Sequence, residues 1–498
     1  MFPRRLVPAL AIVSCAIFAP AALGSTTQEL LIEDDHRLLE LSRPEQQEAL
    51  DHFKRLGVDR IRAAVWWGYV VADAKSKSRP PGNPRRSGSR LYRHERFAML
   101  DSLVRGTHAR GIALTLNPSG ASGLAGTYLQ TPRWAQRRGR SPDPDEFRRF
   151  VRALGRRYSG RYVPKGDSSP LPSVDDWSLW NEPNNPQFLQ PQWKRTATGW
   201  IPWSPVIYRK LYEQAAAALR RSGHRGGRIY LGETAATGGG RRGRRAAMAP
   251  GMFVREVACV GSDLLAYAKG AARLRRCAAY SPLDTAGLTT HFYSANAGTA
   301  PVVQPPADPN HWVPSAPARP AQLLGFLSAS GRLPGGLTVM NTEAGFQSSP
   351  KMASSMSEAD QALHTNLAEY LQYREPSVAS FAQYLMTDDP VWFTGLRYMD
   401  GRPKAAYAAF RMPIVVRRVA PGALGLGQVA VWGAASGRHA GRRVEILRDG
   451  VPVGSVVPSN ERGYFETVVS APLPNSVFRL RDPATGTLSR PARISAGL

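Results

Sequence analysis

Cysteine is scarce, with Cys15, Cys259 and Cys277 the only three in 498 residues, and neither of the last two has the neighbouring His or Cys spacing of a zinc site. Metal binding is therefore the weaker reading of that pair, and no metal or cofactor is expected. Long apolar runs are missing too. Beyond the first residues no segment reaches roughly 18 uninterrupted apolar positions, so no integral membrane anchor is implied. No glycine-rich phosphate turn follows the first strand candidate, as a doubly wound nucleotide-binding sheet would require. Acidic residues are few, 38 against 65 basic ones, for a formal charge of +27. Such a charge raises nucleic acid or an acidic polysaccharide as an anionic partner. However, 56 of the basic residues are arginines scattered along the whole chain. Scatter without a nucleic-acid motif argues for a solvated basic surface, and nucleic acid is not an expected partner.

The chain opens on what reads as an export signal. Arg4 and Arg5 precede an apolar run from Leu6 to Phe18 and the small-residue stretch Ala21-Ala22-Leu23-Gly24, which predicts cleavage near Gly24 and a secreted protein. An uncleaved N-terminal anchor is the alternative. Cys15 sits inside the apolar run and is discounted as a lipidation site. Removing residues 1–24 takes away two arginines, leaving +25, and leaves Cys259 and Cys277, 18 residues apart, to form a disulfide in an oxidising compartment.

From Glu29 onward short apolar runs alternate with amphipathic stretches eight times. The strand candidates are Glu29 to Glu33, Val58 to Val65, Gly111 to Asn117, Val174 to Asn181, Arg228 to Glu233, Asp284 to His291, Leu337 to Thr342 and Val378 to Leu385. Helix punctuation keeps the two periods in phase. Ser42 caps a helix with Pro44 in its first turn and Gly57 at its end, Asp143-Pro144-Asp145-Glu146 reads as a capping box, and Ser204-Pro205 opens a third helix. Eight such units predict an α/β chain with a (β/α)8 TIM barrel over residues 25–412. Long insertions after strands two, three, four and six all follow strand C-termini, the face where barrel enzymes build their sites. After Met412 the pattern changes to short β runs, with Asp449-Gly450 as a hairpin signal, and predicts a β-sandwich over 413–498. That domain either binds carbohydrate or simply packs on the barrel. A monomer is expected.

The chemistry lies at two strand ends. Trp177 to Phe188 reads WSLWNEPNNPQF, a strand that presents Asn181 and Glu182 and is stopped by Pro183. Leu337 to Phe346 reads LTVMNTEAGF and ends the seventh strand on Glu343. Retaining glycoside hydrolysis needs one carboxyl that protonates the leaving oxygen and one carboxylate that attacks the anomeric carbon, about 5 Å apart. Strands four and seven stand three positions apart in an eight-strand ring, so their side chains approach a sugar from opposite walls. Glu233, ending strand five, would share a wall with Glu182 and is ranked as a supporting carboxylate.

WNEP ending strand four, with TE ending strand seven, resembles clan A of the glycoside hydrolases, which carries catalytic glutamates on those two strands. The similarity is greatest to families thirty-nine and five, in particular to actinobacterial cellulase-family proteins. It runs through the whole barrel: LGVDRIRAAVWW, RGIALTLNPSG, GLTTHFYS and AQYLMTDDPVWFTGLRYMDGRPKAAYAAF. The resemblance implies that Glu182 is the general acid/base and Glu343 the nucleophile, that Asn181 hydrogen-bonds the sugar 2-hydroxyl, and that Arg62 and Tyr293 position Glu343 and keep it ionised. A surface ion pair is the alternative for Arg62, and a plain core role for His291, which shares a face with Tyr293. Relatives often have His-His-Pro-Tyr where this chain has Thr290-His291-Phe292-Tyr293. Trp392, Trp66, Trp193, Trp200 and Trp203 are candidate sugar platforms, since pyranose CH groups pack on indole faces. Trp177 and Trp180 can equally be packed inside.

Three functions follow in order. The first is a secreted retaining glycoside hydrolase acting on a poly- or oligosaccharide. The second is a transglycosylase, or a hydrolase tied to the cell's own surface polysaccharide. The third is a non-catalytic sugar-binding barrel, which would have no need of two opposed carboxylates.

Overall fold

The computed structural model of the chain describes residues 24–121, 130–137, 141–239, 242–294, 300–348, 355–419, 427–471 and 473–495. The export signal expected over 1–24 lies outside these, apart from Gly24, and so do parts of the insertions after the third and sixth strands.

Eight strands alternate with helices. They are β1 (Glu29–Glu33), β2 (Arg60–Trp66), β3 (Ala113–Ser119), β4 (Asp176–Ser178), β5 (Arg228–Thr234), β6 (Gly287–His291), β7 (Thr338–Glu343) and β8 (Ser380–Tyr384). Each pairs in parallel with its sequence neighbours and β8 lies beside β1. A parallel bridge between Val339 and Val378 joins the remaining edges and closes the ring. The helices α1 (Arg43–Arg55), α2 (His94–Ala109), α3 (Pro144–Arg157), α4 (Ser204–Arg220), α5 (Pro250–Val257), α6 (Ala318–Ala329), α7 (Glu358–Tyr373) and α8 (Ala405–Arg411) each follow one strand. The architecture is a (β/α)8 barrel. None of the described helices is long and apolar enough to cross a membrane.

Local signals explain the helix starts. Ser42 Oγ accepts from the Glu45 N–H while Glu45 returns a bond to the Ser42 N–H, a full capping box on α1. At α3 the structure corrects the expectation. Asp143 accepts from Asp145 and Glu146, but Glu146 turns outward to Arg79 and Arg149 instead of returning a bond. A second difference concerns β4. The apolar run to Asn181 reads as continuous strand, yet pairing stops at Ser178 and Trp180 takes a left-handed φ of +75°, so Glu182 is presented from a turn and not from a strand.

Inside the ring, the two-residue alternation stacks polar layers. Arg60 reaches Glu29, Thr115 and Asp176 in the lower layer. One step further along each strand, Arg62, Asn117 and Ser178 form the upper layer, and the site is built on it.

From Ile414 the chain forms two three-stranded antiparallel sheets, β9 (Ile414–Arg418), β10 (Gln428–Ala434) and β13 (Tyr464–Ser470) against β11 (Val444–Arg448), β12 (Val451–Val456) and β14 (Phe478–Arg481). Val431, Ile446, Phe465 and Phe478 share their core. β9 has no counterpart among the β runs that mark this domain in the sequence. The sandwich docks on α7, where Leu367, Tyr370 and Tyr373 pack with Trp432 and Tyr464. At that seam Gly57 has φ +82°, and a Cβ there would stand 2.5 Å from the Gly437 carbonyl oxygen, so glycine is required on both grounds. Cys259 and Cys277 are bridged.

The seam also buries a charge pair. Arg438 donates to Glu369 of α7 and to the Phe410 carbonyl, and the Tyr464 hydroxyl donates to the same Glu369 oxygen at 2.7 Å. Removing the cation leaves a buried carboxylate uncompensated, so Arg438→Met should cost about 3–5 kcal/mol in chemical denaturation. Adding Glu369→Gln should restore part of it. A loss below about 1 kcal/mol in the single variant, the level of an exposed ion pair, would remove this pair from the docking account.

Candidate active site

Glu182 is held by three local devices at the C-terminal mouth of the barrel. It adopts φ +39°, an unfavourable conformation for a side chain with a Cβ, and its backbone N–H is fixed at 2.7 Å on the Glu233 carbonyl. Asn185 Nδ2 donates to its Oε2 at 2.7 Å, and His291 Nδ1 lies 3.0 Å from its Oε1. His291 itself is aimed by a register shift between Thr290 and His291 that sets it opposite Glu343 of β7. Tyr293, two residues on, donates its hydroxyl to Glu343 Oε1 at 2.7 Å.

Beneath these groups Arg62 is fully enclosed. Its Nη atoms donate to Glu33, to Glu233, to Asn181 Oδ1 at 2.7 Å and to Asn117 Oδ1 at 3.4 Å, while Nε has no hydrogen-bond partner among the described residues. Glu233 also accepts from Ser178 and faces His291 Nε2 at 3.3 Å. Burial by itself would push Glu233 up, but the Arg62 charge and the bonds from His291 hold it at about 2. Burial likewise opposes a charged His291, yet the Glu343 charge and the bonds to Glu182 and Glu233 push it up to about 10. His291 is thus a charged ring set between Glu182, Glu233 and Glu343. Burial pushes Glu33 upward against the pull of Arg62, which leaves Glu233 as the principal counter-ion of the guanidinium.

Carboxylate oxygens of Glu182 and Glu343 and a ring nitrogen of His291 all come within 4.8 Å of one another. Two readings of that triangle compete. A metal would need a free imidazole lone pair, whereas this ring is held protonated with one nitrogen on Glu182 and the other on Glu233. The metal reading fits poorly. Two carboxyls this close, on opposite walls of a cleft, match the separation of about 5–5.5 Å used for double displacement at an anomeric centre, and not the roughly 6.5–9.5 Å that leaves room for a water.

Sequence reasoning named Glu182, Glu343, Asn181, Arg62, His291 and Tyr293, and the structure gathers all six. One role differs in detail. Arg62 makes no hydrogen bond to Glu343 and reaches it only through space, because both of its Nη atoms are engaged by Glu33, Glu233 and the two asparagines. The aromatic candidates separate. Trp392 is 44% exposed at the mouth and meets Tyr384 edge-on at 6.4 Å, which leaves it available to a ligand. Trp66 is only 9% exposed, stacks on Phe188 and donates to Asp35 at 3.2 Å. Trp193 is buried, and Lys194 and Arg195 cover Trp203 and Trp200. Glu33, Asp35, Asn117, Ser178 and Asn185 were missed. For Asn117 and Ser178 a signal was present, a polar side chain at the top of an otherwise apolar strand.

The sequence matches no protein-family model and no curated protein. Among solved structures, a Bacteroides uniformis β-glucuronidase aligns at 11% identity and a TM-score of 0.44, over 94% of this chain and 46% of its own. A GH30 endoxylanase from Clostridium papyrosolvens C71 aligns at 11% identity and 0.43, over 92% and 97%. A GH5_18 protein from Streptomyces cattleya aligns at 14% identity and 0.45, over 77% and 78%. The chain spans about half the length of the B. uniformis β-glucuronidases. Likenesses this distant transfer no activity, and the barrel assignment rests on the strand order of the chain itself.

The charges of the site couple stability to pH. A histidine raised from 6.5 to about 10 on folding contributes stability that is complete below its unfolded value and is lost as pH rises through its folded one. Glu233, held at about 2, contributes in the opposite sense, with its share lost as pH falls below about 4.5. In denaturant titrations, wild type should therefore lose stability between pH 6.5 and 10 relative to His291→Gln, which lacks the titrating ring. Parallel profiles for the two proteins over that range would contradict a protonated His291.

Proposed function

We propose that the chain is a secreted retaining glycoside hydrolase, cleaving O-glycosidic bonds of a poly- or oligosaccharide with Glu343 as nucleophile and Glu182 as general acid and base. The observation that carries the reading is the approach of the Glu182 and Glu343 oxygens within 4.8 Å across the mouth of a (β/α)8 barrel. Secretion is supported by the Arg4-Arg5 and apolar leader and by the bridged Cys259 and Cys277.

The two carboxyls are made unequal by their neighbours. Glu343 receives the Tyr293 hydroxyl and lies 3.6 Å from the His291 ring, so a phenol and a charged imidazole both face the carboxyl proposed to attack carbon. Glu182 faces His291 Nδ1 through Oε1 and accepts from Asn185 Nδ2 through Oε2, and in the proposed cycle it enters as the acid. In the first step the Glu343 carboxylate bonds to the anomeric carbon as the bond to the leaving oxygen breaks, and that oxygen takes the proton from Glu182. In the second step a water oxygen attacks the same carbon, its proton passes to Glu182, and Glu343 departs as carboxylate. Asn181, held by Arg62 through its Oδ1 and by Ser119 through its N–H, keeps its amide Nδ2 available for a sugar hydroxyl.

Removing the two glutamates should give different failures. Glu343→Ala forms no glycosyl-enzyme and should be nearly inactive on every substrate, with added azide giving a glycosyl azide of inverted configuration. Glu182→Ala should lose about 10²–10⁴-fold on natural sugars, whose leaving oxygen needs a proton. It should still be glycosylated quickly by a dinitrophenyl glycoside, with azide restoring turnover at retained configuration. Near-normal turnover by Glu343→Ala would remove that residue as nucleophile and bring Glu233 forward.

A further inference from the structure

The loops after β4 and β5 carry no carboxylate. From Pro183 to Tyr212, and again from Thr234 to Arg255, the sequence has no Asp or Glu, while Lys194, Arg195, Arg242, Arg244 and Arg245 are all exposed there. Several arginines elsewhere on the surface meet acids, as Arg79 meets Glu146, Arg110 meets Asp51 and Arg220 meets Asp284. Arg244 and Arg245 meet none among the described residues. Lys194, Arg195 and Arg242 meet only tryptophan faces, at 4.4 Å from Trp203, 5.7 Å from Trp200 and 6.0 Å from Trp193. Like charges so gathered repel one another, and a polyanion relieves that repulsion.

The rim is tied directly to the segment that carries Glu182. Asn184 exchanges hydrogen bonds with Ala235 and Met248, the Gln192 N–H donates to the Arg244 carbonyl at 3.0 Å, and Trp193 Nε1 donates to the Ala246 carbonyl at 2.9 Å. Both loops therefore form one wall on the side of the cleft where Glu182 protonates the leaving oxygen. The sugars on the leaving side of the broken bond lie over that wall.

We propose that this rim binds the leaving-group side of an anionic polysaccharide, its cations meeting carboxylate or sulfate groups on successive sugars. The proposal rests on the hydrolase reading for the direction in which the chain crosses the cleft.

Binding of the full mature chain to polygalacturonate, dextran sulfate, neutral dextran and duplex DNA tests it. Arg195→Gln/Arg242→Gln/Arg244→Gln/Arg245→Gln should weaken binding to one of the two acidic polysaccharides by about tenfold or more, and its preference between them tells carboxylate from sulfate. Arg85→Gln/Arg86→Gln/Arg90→Gln/Arg156→Gln removes the same charge from the insertion after β2 and the end of α3 and should change binding less than about threefold. Should the first variant fold poorly, Arg244→Gln/Arg245→Gln, whose side chains touch no tryptophan, should still weaken binding about threefold. Equal losses in the two quadruple variants, tighter binding of DNA than of either polysaccharide, or no binding of either polyanion would overturn the rim. Hydrolysis of aryl glycosides by wild type is scored separately. Rim-dependent binding without any hydrolysis contradicts the catalytic reading alone, and hydrolysis without rim-dependent binding contradicts the rim alone.

Discussion

Arg62 stands inside the barrel with its donors distributed over four neighbouring walls: Glu33 of β1, Asn117 of β3, Asn181 just past β4 and Glu233 of β5. A cation withdrawn from water this completely costs several kcal/mol unless close, well-directed acceptors surround it, and the upper polar layer of the barrel provides them. The consequences run outward. Glu233, kept ionised by the guanidinium, joins Glu343 and Glu182 in keeping His291 charged, and the carbonyl of Glu233 holds the backbone of Glu182 in its left-handed turn. Glu182, and the ring that faces both carboxyls proposed for catalysis, are thus placed in part by Glu233.

The same arrangement explains why one wall of the site bears a neutralising network and the other a phenol. Glu182 faces His291 and accepts from Asn185, whereas Glu343 lies beside the same ring and accepts a hydroxyl from Tyr293. Two glutamates separated by 161 positions in the chain acquire distinct roles from their neighbours and not from any difference of their own.

Much of this was readable in advance. All eight barrel strands coincide with apolar runs in the sequence, because a parallel sheet buried on both faces leaves a near-continuous hydrophobic signature. The six residues named for the site do converge. What was hidden depends on tertiary pairing. Nothing local to Trp180 announces a left-handed turn, since non-glycine residues rarely adopt one, so strand four was read three residues too long. Arg62 was assigned to Glu343 by resemblance to clan A, while the register that engages its Nη atoms elsewhere is set across the sheet. Trp193, Trp200 and Trp203 were read as open platforms, yet burial of one and the cations lying over the others belong to loops whose mutual packing leaves no periodic trace.

The central claim is that Glu182 and Glu343 act as a retaining pair, and the anomeric configuration of the first-formed product tests it most directly. Proton NMR of wild-type protein with a cleavable glycoside, followed before mutarotation, should show the product appearing with the configuration of the substrate, as two carboxyls within 4.8 Å require. A first-formed product of inverted configuration would mean that water attacks directly, and would contradict the double displacement assigned to this site.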